Sequence, residues 1–172
     1  MIKISHFNIL LVEDEILLMQ SLARHVEELD MGFRVVCQTA NGQDALKRLE
    51  KENIHLVITD IRMPVMDGLE LAKEIHLKYP SIKTVILSGY AEFEYAKEAL
   101  SQGVVDYLLK PVAADQLENT LSKVKLELEK TYELEEDTSL TGQNAAQVVE
   151  YATLYLKEHY MDDVDFSAFS QK

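Results

Sequence analysis

The chain has 172 residues, enough for one core or for one domain with an appendage. Its formal net charge is −13, which argues against a surface that holds nucleic acid or an anionic membrane by bulk charge. Cys37 is the only cysteine, so an internal disulfide and a thiolate metal cluster are excluded, and no apolar run is long enough to cross a bilayer. We therefore expect a cytoplasmic protein without a secretory signal or a membrane partner.

Short apolar runs alternate with stretches of helical spacing up to about residue 125. The runs are rich in Val, Ile and Leu and show little polar alternation, which is typical of strands buried on both faces of a parallel sheet. The predicted strands are Asn8–Val12, Arg34–Cys37, Leu56–Thr59, Lys83–Leu87 and Asp106–Leu109. The predicted helices are Ile16–Leu29, Gly42–Lys51, Leu69–Tyr79, Glu92–Gln102 and one that begins at Asp115. This alternation predicts an α/β fold, a doubly wound parallel sheet of five strands with helices on both faces.

Cys37, inside the second strand, is predicted to be a small buried apolar side chain.

The last 47 residues differ in composition from the rest, with 11 acidic and 3 basic groups. The apolar spacing of the fifth helix fades after Leu128, and residues 137–144 have the composition of a linker. We predict a globular domain over residues 1–128, a helical extension and linker over 129–144, and a further helical segment over 145–172.

The residues that directly follow the predicted strands have carboxylate, hydroxyl or ammonium groups that could form a functional site. Glu13 and Asp14 follow the first strand, Asp60 the third, Ser88 the fourth and Lys110 the fifth. Doubly wound sheets bind ligands at the carboxyl ends of their strands, so these groups are expected to converge on one edge. Three carboxylates held close together repel one another, and oxygen ligands alone suit a hard cation such as Mg²⁺. A carboxylate there can also accept a phosphoryl group as an acyl phosphate, and Asp60 is the candidate nucleophile.

Four motifs in this order and spacing resemble those of two-component response-regulator receiver domains. They are Leu10–Glu15, Val57–Gly68, Leu87–Tyr90 and Asp106–Pro111. The resemblance covers about residues 7–128 and implies a CheY-like fold with strand order 2-1-3-4-5.

The resemblance also implies the roles of the acidic residues. Asp60 would be the phosphoacceptor, phosphorylated by a sensor histidine kinase. Asp14 would bind Mg²⁺ directly, Glu13 would bind it directly or through water, and the backbone carbonyl of Arg62 would supply a further oxygen. The chain would catalyse only its own phosphorylation and dephosphorylation, and would not be an enzyme acting on an external substrate.

Three further residues take switch roles by the same resemblance. Ser88 would hydrogen-bond the phosphoryl group, Lys110 would pair with it, and Tyr107 would be the aromatic side chain that turns inward afterwards. Receivers commonly dimerise through the face made by the fourth helix, the fifth strand and the fifth helix, so a homodimer favoured by phosphorylation is expected.

The stretch Val149–Tyr160 is similar to the first helix of an AraC-type DNA-binding domain, and Asp165–Phe169 could open the next helix. No recognition helix follows before Lys172. We therefore expect a truncated regulator whose longer parent is a transcription factor, with DNA bound only through the missing C-terminal part.

Other functions stay open at this point. One alternative is a stand-alone receiver that acts by protein contact and has no DNA output, and another is a true phosphatase. A haloacid-dehalogenase-type site would need a second aspartate two positions after Asp60, where the chain has Arg62. No glycine-rich nucleotide-binding loop is present.

Overall fold

The structure is a computed structural model that describes residues 6–89 and 103–140, and for 133–140 it describes the backbone only. The strands are β1 (Phe7–Val12), β2 (Phe33–Thr39), β3 (Leu56–Asp60), β4 (Lys83–Ser88) and β5 (Asp106–Leu109). The helices are α1 (Ile16–Glu28), α2 (Gly42–Leu49), α3 (Gly68–Lys78) and α4 (Ala114–Leu140). The predicted helix Glu92–Gln102 and the AraC-like stretch lie outside the described residues.

The five strands form one parallel sheet in the order β2-β1-β3-β4-β5. The predicted fold class and strand order are therefore confirmed. Each described strand is within about three residues of its predicted bounds. Contacts divide the chain into two compact units, Met1–Thr131 and Tyr132–Lys172. No helix in the described part of the chain is both long and apolar enough to span a membrane.

The apolar core lies on both sides of the central strands, which explains their unbroken apolar sequence. In β1 and β3, Ile9, Leu10, Val57 and Ile58 have no exposed surface or almost none. One cluster packs β1 and β3 against α2 and α3, and includes Ala45, Leu49, Leu71 and Ile75. On the last helix, four residues with helical spacing are fully buried: Leu117, Leu121, Val124 and Leu128.

Strand β2 differs from the prediction of burial on both faces. Its residues alternate between covered and exposed, with Arg34, Val36 and Gln38 exposed. The reason is its place at the edge of the sheet, where it pairs only with β1. Cys37 is accordingly half-buried at the rim of the α2–α3 cluster and not fully buried as predicted.

The last helix also differs from the prediction. Helix α4 continues to Leu140, so the first four residues of the predicted linker, 137–140, are helical. Leu128 is the last buried residue among the helix side chains that the structure describes. A run of helix-forming Glu and Lys residues needs no core to continue as a helix. The predicted domain boundaries themselves stay a prediction.

Candidate functional site at the carboxyl edge of the sheet

Strand register brings the candidate residues together. Val12 of β1 lies beside Thr59 of β3, so the next residues, Glu13 and Asp60, are neighbours across the two strands. Asp60 in turn lies beside Leu87, and Ser88 beside Leu109. Because all strands are parallel, the side chains that follow them share one edge of the sheet.

Three carboxylates form a cluster at this edge. Glu13, Asp14 and Asp60 each offer an oxygen, and these oxygens lie within 4.8 Å of one another. Glu13 and Asp60 are buried, with 2% and 7% of their surface exposed, whereas Asp14 is exposed. This set of oxygen donors, two of them shielded from water and one open to it, fits a hard divalent cation that keeps part of its water shell.

Lys110 bridges two of these carboxylates. Its Nζ lies 2.6 Å from Oε2 of Glu13 and 2.7 Å from Oδ1 of Asp60. Lys110 directly follows β5, and its backbone is held by β4, because its N–H donates to the carbonyl of Ser88 at 2.8 Å. The following Lys110–Pro111 peptide bond is cis. A single ammonium group therefore balances part of the negative charge of the cluster.

The pKa values of Glu13 and Lys110 both lie above their ordinary values. Burial is the main cause that raises the pKa of Glu13, and the neighbouring Asp60 adds to it, although Lys110 acts in the opposite direction. Burial alone would lower the pKa of Lys110, but its bonds to Asp60 and Glu13 outweigh that effect. Glu13 therefore resists ionisation mainly because it is buried, and its lysine partner only partly offsets that effect.

Ser88 and Tyr107 occupy neighbouring strands beside this cluster. Ser88 is fully buried, and its Oγ donates to the carbonyl of Gly89 at 2.9 Å. Tyr107 packs against the apolar cluster that contains Ile61 and Ile86. Its hydroxyl is shielded from water and has no hydrogen-bond partner among the described residues.

The start of β5 is tied to the last helix through Asp106. Its Oδ2 accepts hydrogen bonds from Thr120 at 2.7 Å and Lys123 at 2.8 Å, and its Oδ1 accepts the N–H of Tyr107 at 2.9 Å. Burial acts to raise the pKa of Asp106, but the bonds from Lys123, Thr120 and Tyr107 lower it overall. The backbone of Tyr107 is therefore fixed even though its ring is a candidate for movement. The sequence argument did not single out Asp106 for this role.

The loop after Asp60 folds back over it. The N–H of Gly68 donates to the carbonyl of Ile61 at 2.8 Å, and helix α3 begins there. Asp67 caps that helix by accepting the N–H groups of Leu69 and Glu70. The sequence argument missed this cap, although Asp followed three residues later by Glu is the signal of a capping box. Arg62, whose carbonyl is a candidate ligand, lies in this loop with an exposed side chain.

An exposed apolar patch lies next to the cluster at the start of α1. It consists of Ile16, Leu17 and Leu18, which are 64%, 80% and 39% exposed. A cavity of about 150 Å³ continues from Leu18 past Leu22 to Pro111 and reaches Glu13 and Lys110. An apolar surface of this kind beside a polar site is typical of a contact with another protein.

The structure thus brings Glu13, Asp14, Asp60 and Lys110 into one cluster and places Ser88 and Tyr107 on the adjoining strands. Their roles in phosphorylation stay predictions. What the arrangement offers chemically is a carboxylate nucleophile, a group of oxygen donors for a cation and a fixed ammonium group.

Comparisons with known proteins identify the family to which this chain is related. The profile of the family described as "Response regulator receiver domain" matches residues 9–122. The chain is 40% identical over 124 residues to an uncharacterized transcriptional regulatory protein of Bacillus subtilis, YesN, covering 72% of this chain and 34% of that protein. It is 33% identical over 163 residues to an uncharacterized response regulatory protein of Staphylococcus epidermidis, covering 90% of this chain and 64% of that protein. The chain therefore spans less than two thirds of the length of either relative.

Solved structures show the same fold. The REC domain of AraT, a response regulator from Geobacillus stearothermophilus, matches with a TM-score of 0.68 and 32% identity, over 73% of this chain and 98% of that one. The family profile covers all five strands apart from the first two residues of β1, and it includes every candidate site residue. This chain belongs to the response regulator receiver domain family.

Proposed function

We propose that Asp60 accepts a phosphoryl group from a sensor histidine kinase with the help of Mg²⁺, and that this switches a transcriptional regulator. The observation that carries the proposal is the contact of Lys110 Nζ with both Glu13 and Asp60, beside three carboxylates that converge within 4.8 Å. A structural ion pair would need one carboxylate, whereas phosphoryl transfer needs a nucleophile, a cation site and a second positive group together.

The transfer step follows from this geometry. An Oδ atom of Asp60 attacks the phosphorus of a phosphohistidine, the P–O bond forms, the P–N bond breaks, and the released imidazole nitrogen takes up a proton. When bound, Mg²⁺ supplies positive charge to the phosphoryl oxygens. Glu13, Asp14, Asp60 and the Arg62 carbonyl would hold it. Burial of Glu13 and Asp60 excludes water around the acceptor, which strengthens each of these electrostatic contacts.

After transfer, the phosphoryl group carries about −1.5 to −2 charge in place of the single negative charge of the Asp60 carboxylate. Lys110 is already fixed beside Asp60, so it pairs with the new oxygens without a large movement. Ser88 rotates its hydroxyl from the Gly89 carbonyl toward the phosphoryl group. Space is vacated beside Tyr107, whose ring turns further inward.

Dephosphorylation reverses the covalent change. Water attacks the acyl phosphate, the P–O bond to Asp60 breaks, and inorganic phosphate leaves with the carboxylate restored. The chain therefore catalyses only its own modification and turns over no external substrate.

The kinase contacts the patch of Ile16, Leu17 and Leu18. These side chains lie immediately after the acidic residues of the site, so a helix of the donor that packs on them brings its histidine close to Asp60. Leu17, the most exposed of the three, would make the largest contact.

The output of the switch is transcription. The relative in Bacillus subtilis is named a transcriptional regulatory protein, and the chain covers 34% of it. Residues 1–125 carry a net charge of −5, which makes the receiver itself a poor DNA ligand, so DNA contact belongs to a separate C-terminal AraC-type output region of a longer cytoplasmic parent.

The decisive experiment uses a small acyl phosphate donor with Mg²⁺ and intact-mass analysis. Wild type should gain one phosphoryl group, and Asp60→Asn should gain none. Asp44→Asn, which changes an exposed aspartate on α2, serves as the matched control and should behave like wild type. Removal of Mg²⁺ with a chelator should abolish the gain. Modification of Asp60→Asn at the wild-type rate would disprove the assignment of the acceptor.

Phosphorylation is also expected to favour a homodimer through a face that includes β5 and α4. Sedimentation of the phosphorylated protein against Asp60→Asn under the same conditions tests this. An unchanged sedimentation coefficient after complete phosphorylation would contradict the dimer and leave the phosphoacceptor assignment intact.

A further inference from the structure

The loop between β3 and α3, residues 61–67, is anchored to Asp60 at its far end. Gly68 closes the loop by donating its N–H to the carbonyl of Ile61. A Cβ atom on Gly68 would lie 1.9 Å from the carbonyl oxygen of Asp60, so only glycine fits at this position. Any displacement of the loop is therefore transmitted to the backbone of the phosphoacceptor.

A second anchor joins the same loop to helix α2. The N–H of Gly42 donates to the carbonyl of Met66 at 3.1 Å. A Cβ atom on Gly42 would lie 2.7 Å from Cγ and 3.1 Å from the carbonyl oxygen of Met66. Gly42 is buried, and its backbone does not need the left-handed conformation, so the close approach of Met66 is what requires a glycine here.

Between the two anchors the backbone is strained. Val65 has a φ of 73°, a left-handed conformation that is unfavourable for a β-branched residue. Its side chain is 76% exposed, so packing of that side chain does not hold the conformation in place. Strain of this kind persists only where the surroundings fix the chain on both sides, here at Ile61, which Gly68 holds, and at Met66, which Gly42 holds.

We propose that Gly42, through its contact with Met66, is a positioning residue for the cation and phosphoacceptor cluster. The contact holds the loop down on Asp60, and with it the Arg62 carbonyl. This inference rests on the proposed function, because the cluster of Glu13, Asp14 and Asp60 is taken to be the cation site. Gly42 touches none of these carboxylates and acts only through the loop.

The test is a calorimetric titration of Mg²⁺ into the unphosphorylated protein. In Gly42→Ala the added methyl group would lie 2.7 Å from Cγ and 3.1 Å from the carbonyl oxygen of Met66, so Met66 must shift and the loop with it. The Kd for Mg²⁺ should therefore rise about tenfold, as for other residues that orient metal ligands. Gln43→Ala, at the next and exposed position of the same helix, is the matched control and should keep the wild-type Kd.

A double variant separates positioning from a general loss of stability. Met66→Ala removes the Cγ and Sδ atoms that would meet the new methyl group. The increase in Kd of the double variant Gly42→Ala with Met66→Ala should therefore be smaller than the product of the fold increases of the two single variants. A change that merely destabilises the fold would show no such rescue.

The outcomes are distinguishable. If wild type binds no Mg²⁺, the proposed cation site itself fails. If wild type binds and Gly42→Ala binds equally well, Gly42 is a packing residue only and the inference is overturned while the proposed function stands. Should Gly42→Ala fail to fold, Met66→Ala alone decides, because loss of its packing on Gly42 should also weaken Mg²⁺ binding, and an unchanged Kd would refute the inference.

Discussion

At the scale of single residues, Lys110 controls the electrostatics of the site. Its ammonium group is the positive partner of two buried carboxylates and keeps 21% of its side chain exposed. Two carboxylates at this distance without a cation would repel each other strongly in a medium that screens poorly. The folded protein therefore depends on Lys110 for its stability.

Replacement of Lys110 by methionine should lower the free energy of unfolding by about 3 kcal/mol, because it removes the ammonium group that contacts both buried carboxylates. Urea denaturation measures the change. The matched control is Lys78→Met, which removes an exposed lysine 2.6 Å from Glu74 and should cost no more than about 0.5 kcal/mol. Added Mg²⁺ should return part of the loss in Lys110→Met and none in Lys78→Met. Equal losses in the two variants would contradict this account.

Val65 offers a second test at this scale. Its φ of 73° costs free energy that glycine would not lose. Val65→Gly should raise the free energy of unfolding by about 1 kcal/mol, in spite of the greater chain entropy of glycine. Val65→Ala keeps the unfavourable φ and removes only the branching, so it should gain little. Thermal unfolding of the two variants side by side decides, and a destabilised Val65→Gly would show that the strain is not real.

Sequence reasoning predicted that Glu13, Asp60 and Lys110 share one edge because each directly follows an apolar run and the strands are parallel. Tyr107 and the carbonyl of Arg62 were identified only through the family resemblance. Sequence reasoning did not find the Gly42–Met66 contact or the strained Val65. Both depend on how a loop packs on a helix from another part of the chain, and no local pattern encodes that distance. The role of Asp106 was also not predicted, because its partners Thr120 and Lys123 lie on the last helix, a different element of the fold.

At the scale of elements, helix α3 begins where the loop over Asp60 ends, so the cap of this helix also fixes the loop. Asp67 accepts two backbone N–H groups at 2.9 and 2.8 Å, and Glu70 accepts the N–H of Asp67 at 3.2 Å. The sequence predicted this helix to begin at Leu69, one residue late, because the capping pair was not recognised. The predicted bounds of the central strands were closer to the observed ones than those of β2. Strand β2 lies at the edge of the sheet, where exposed polar residues interrupt the apolar pattern.

Removal of the cap should be measurable. Asp67→Ala deletes the acceptor for two N–H groups and should lower the free energy of unfolding by about 1 kcal/mol. Asp67→Asn retains a side-chain oxygen at the same place and should cost only a few tenths of that, which makes it the control. Chemical denaturation of both variants gives the difference. Identical midpoints for Asp67→Ala and Asp67→Asn would show that the cap contributes nothing.

At the scale of the whole molecule, the two edges of the sheet have different tasks. The charged site lies at the carboxyl ends of the strands, whereas contacts at their amino ends stabilise the sheet. There His55 is buried, its Nδ1 accepts the N–H of Asn8 at 2.9 Å, and its ring meets the edge of Phe7 with centroids 5.6 Å apart. An Nδ1 that accepts a hydrogen bond carries no proton, so the fold holds this histidine in its neutral form.

Burial lowers the pKa of His55 below its ordinary value of 6.5. The unfolded chain therefore binds a proton at higher pH than the native protein does, and stability must rise with pH between the lowered native pKa and 6.5. The contribution of His55 is complete above that window and is lost as the pH falls through it. The slope is at most about 1.4 kcal/mol per pH unit for one group.

The variant His55→Asn should remove this slope, since the Oδ1 of asparagine can still accept the Asn8 N–H and does not titrate. This variant will be less stable than wild type at neutral pH because the smaller side chain leaves a cavity. Its stability should change less than that of wild type as the pH falls from 6.5, the ordinary pKa of histidine, to 5. The exposed His76→Asn on α3 is the control and should follow the wild-type curve. Urea unfolding at a series of pH values measures all three proteins. If His55→Asn keeps the wild-type slope, the pH dependence arises elsewhere, and the neutral histidine at the far edge of the sheet is not its source.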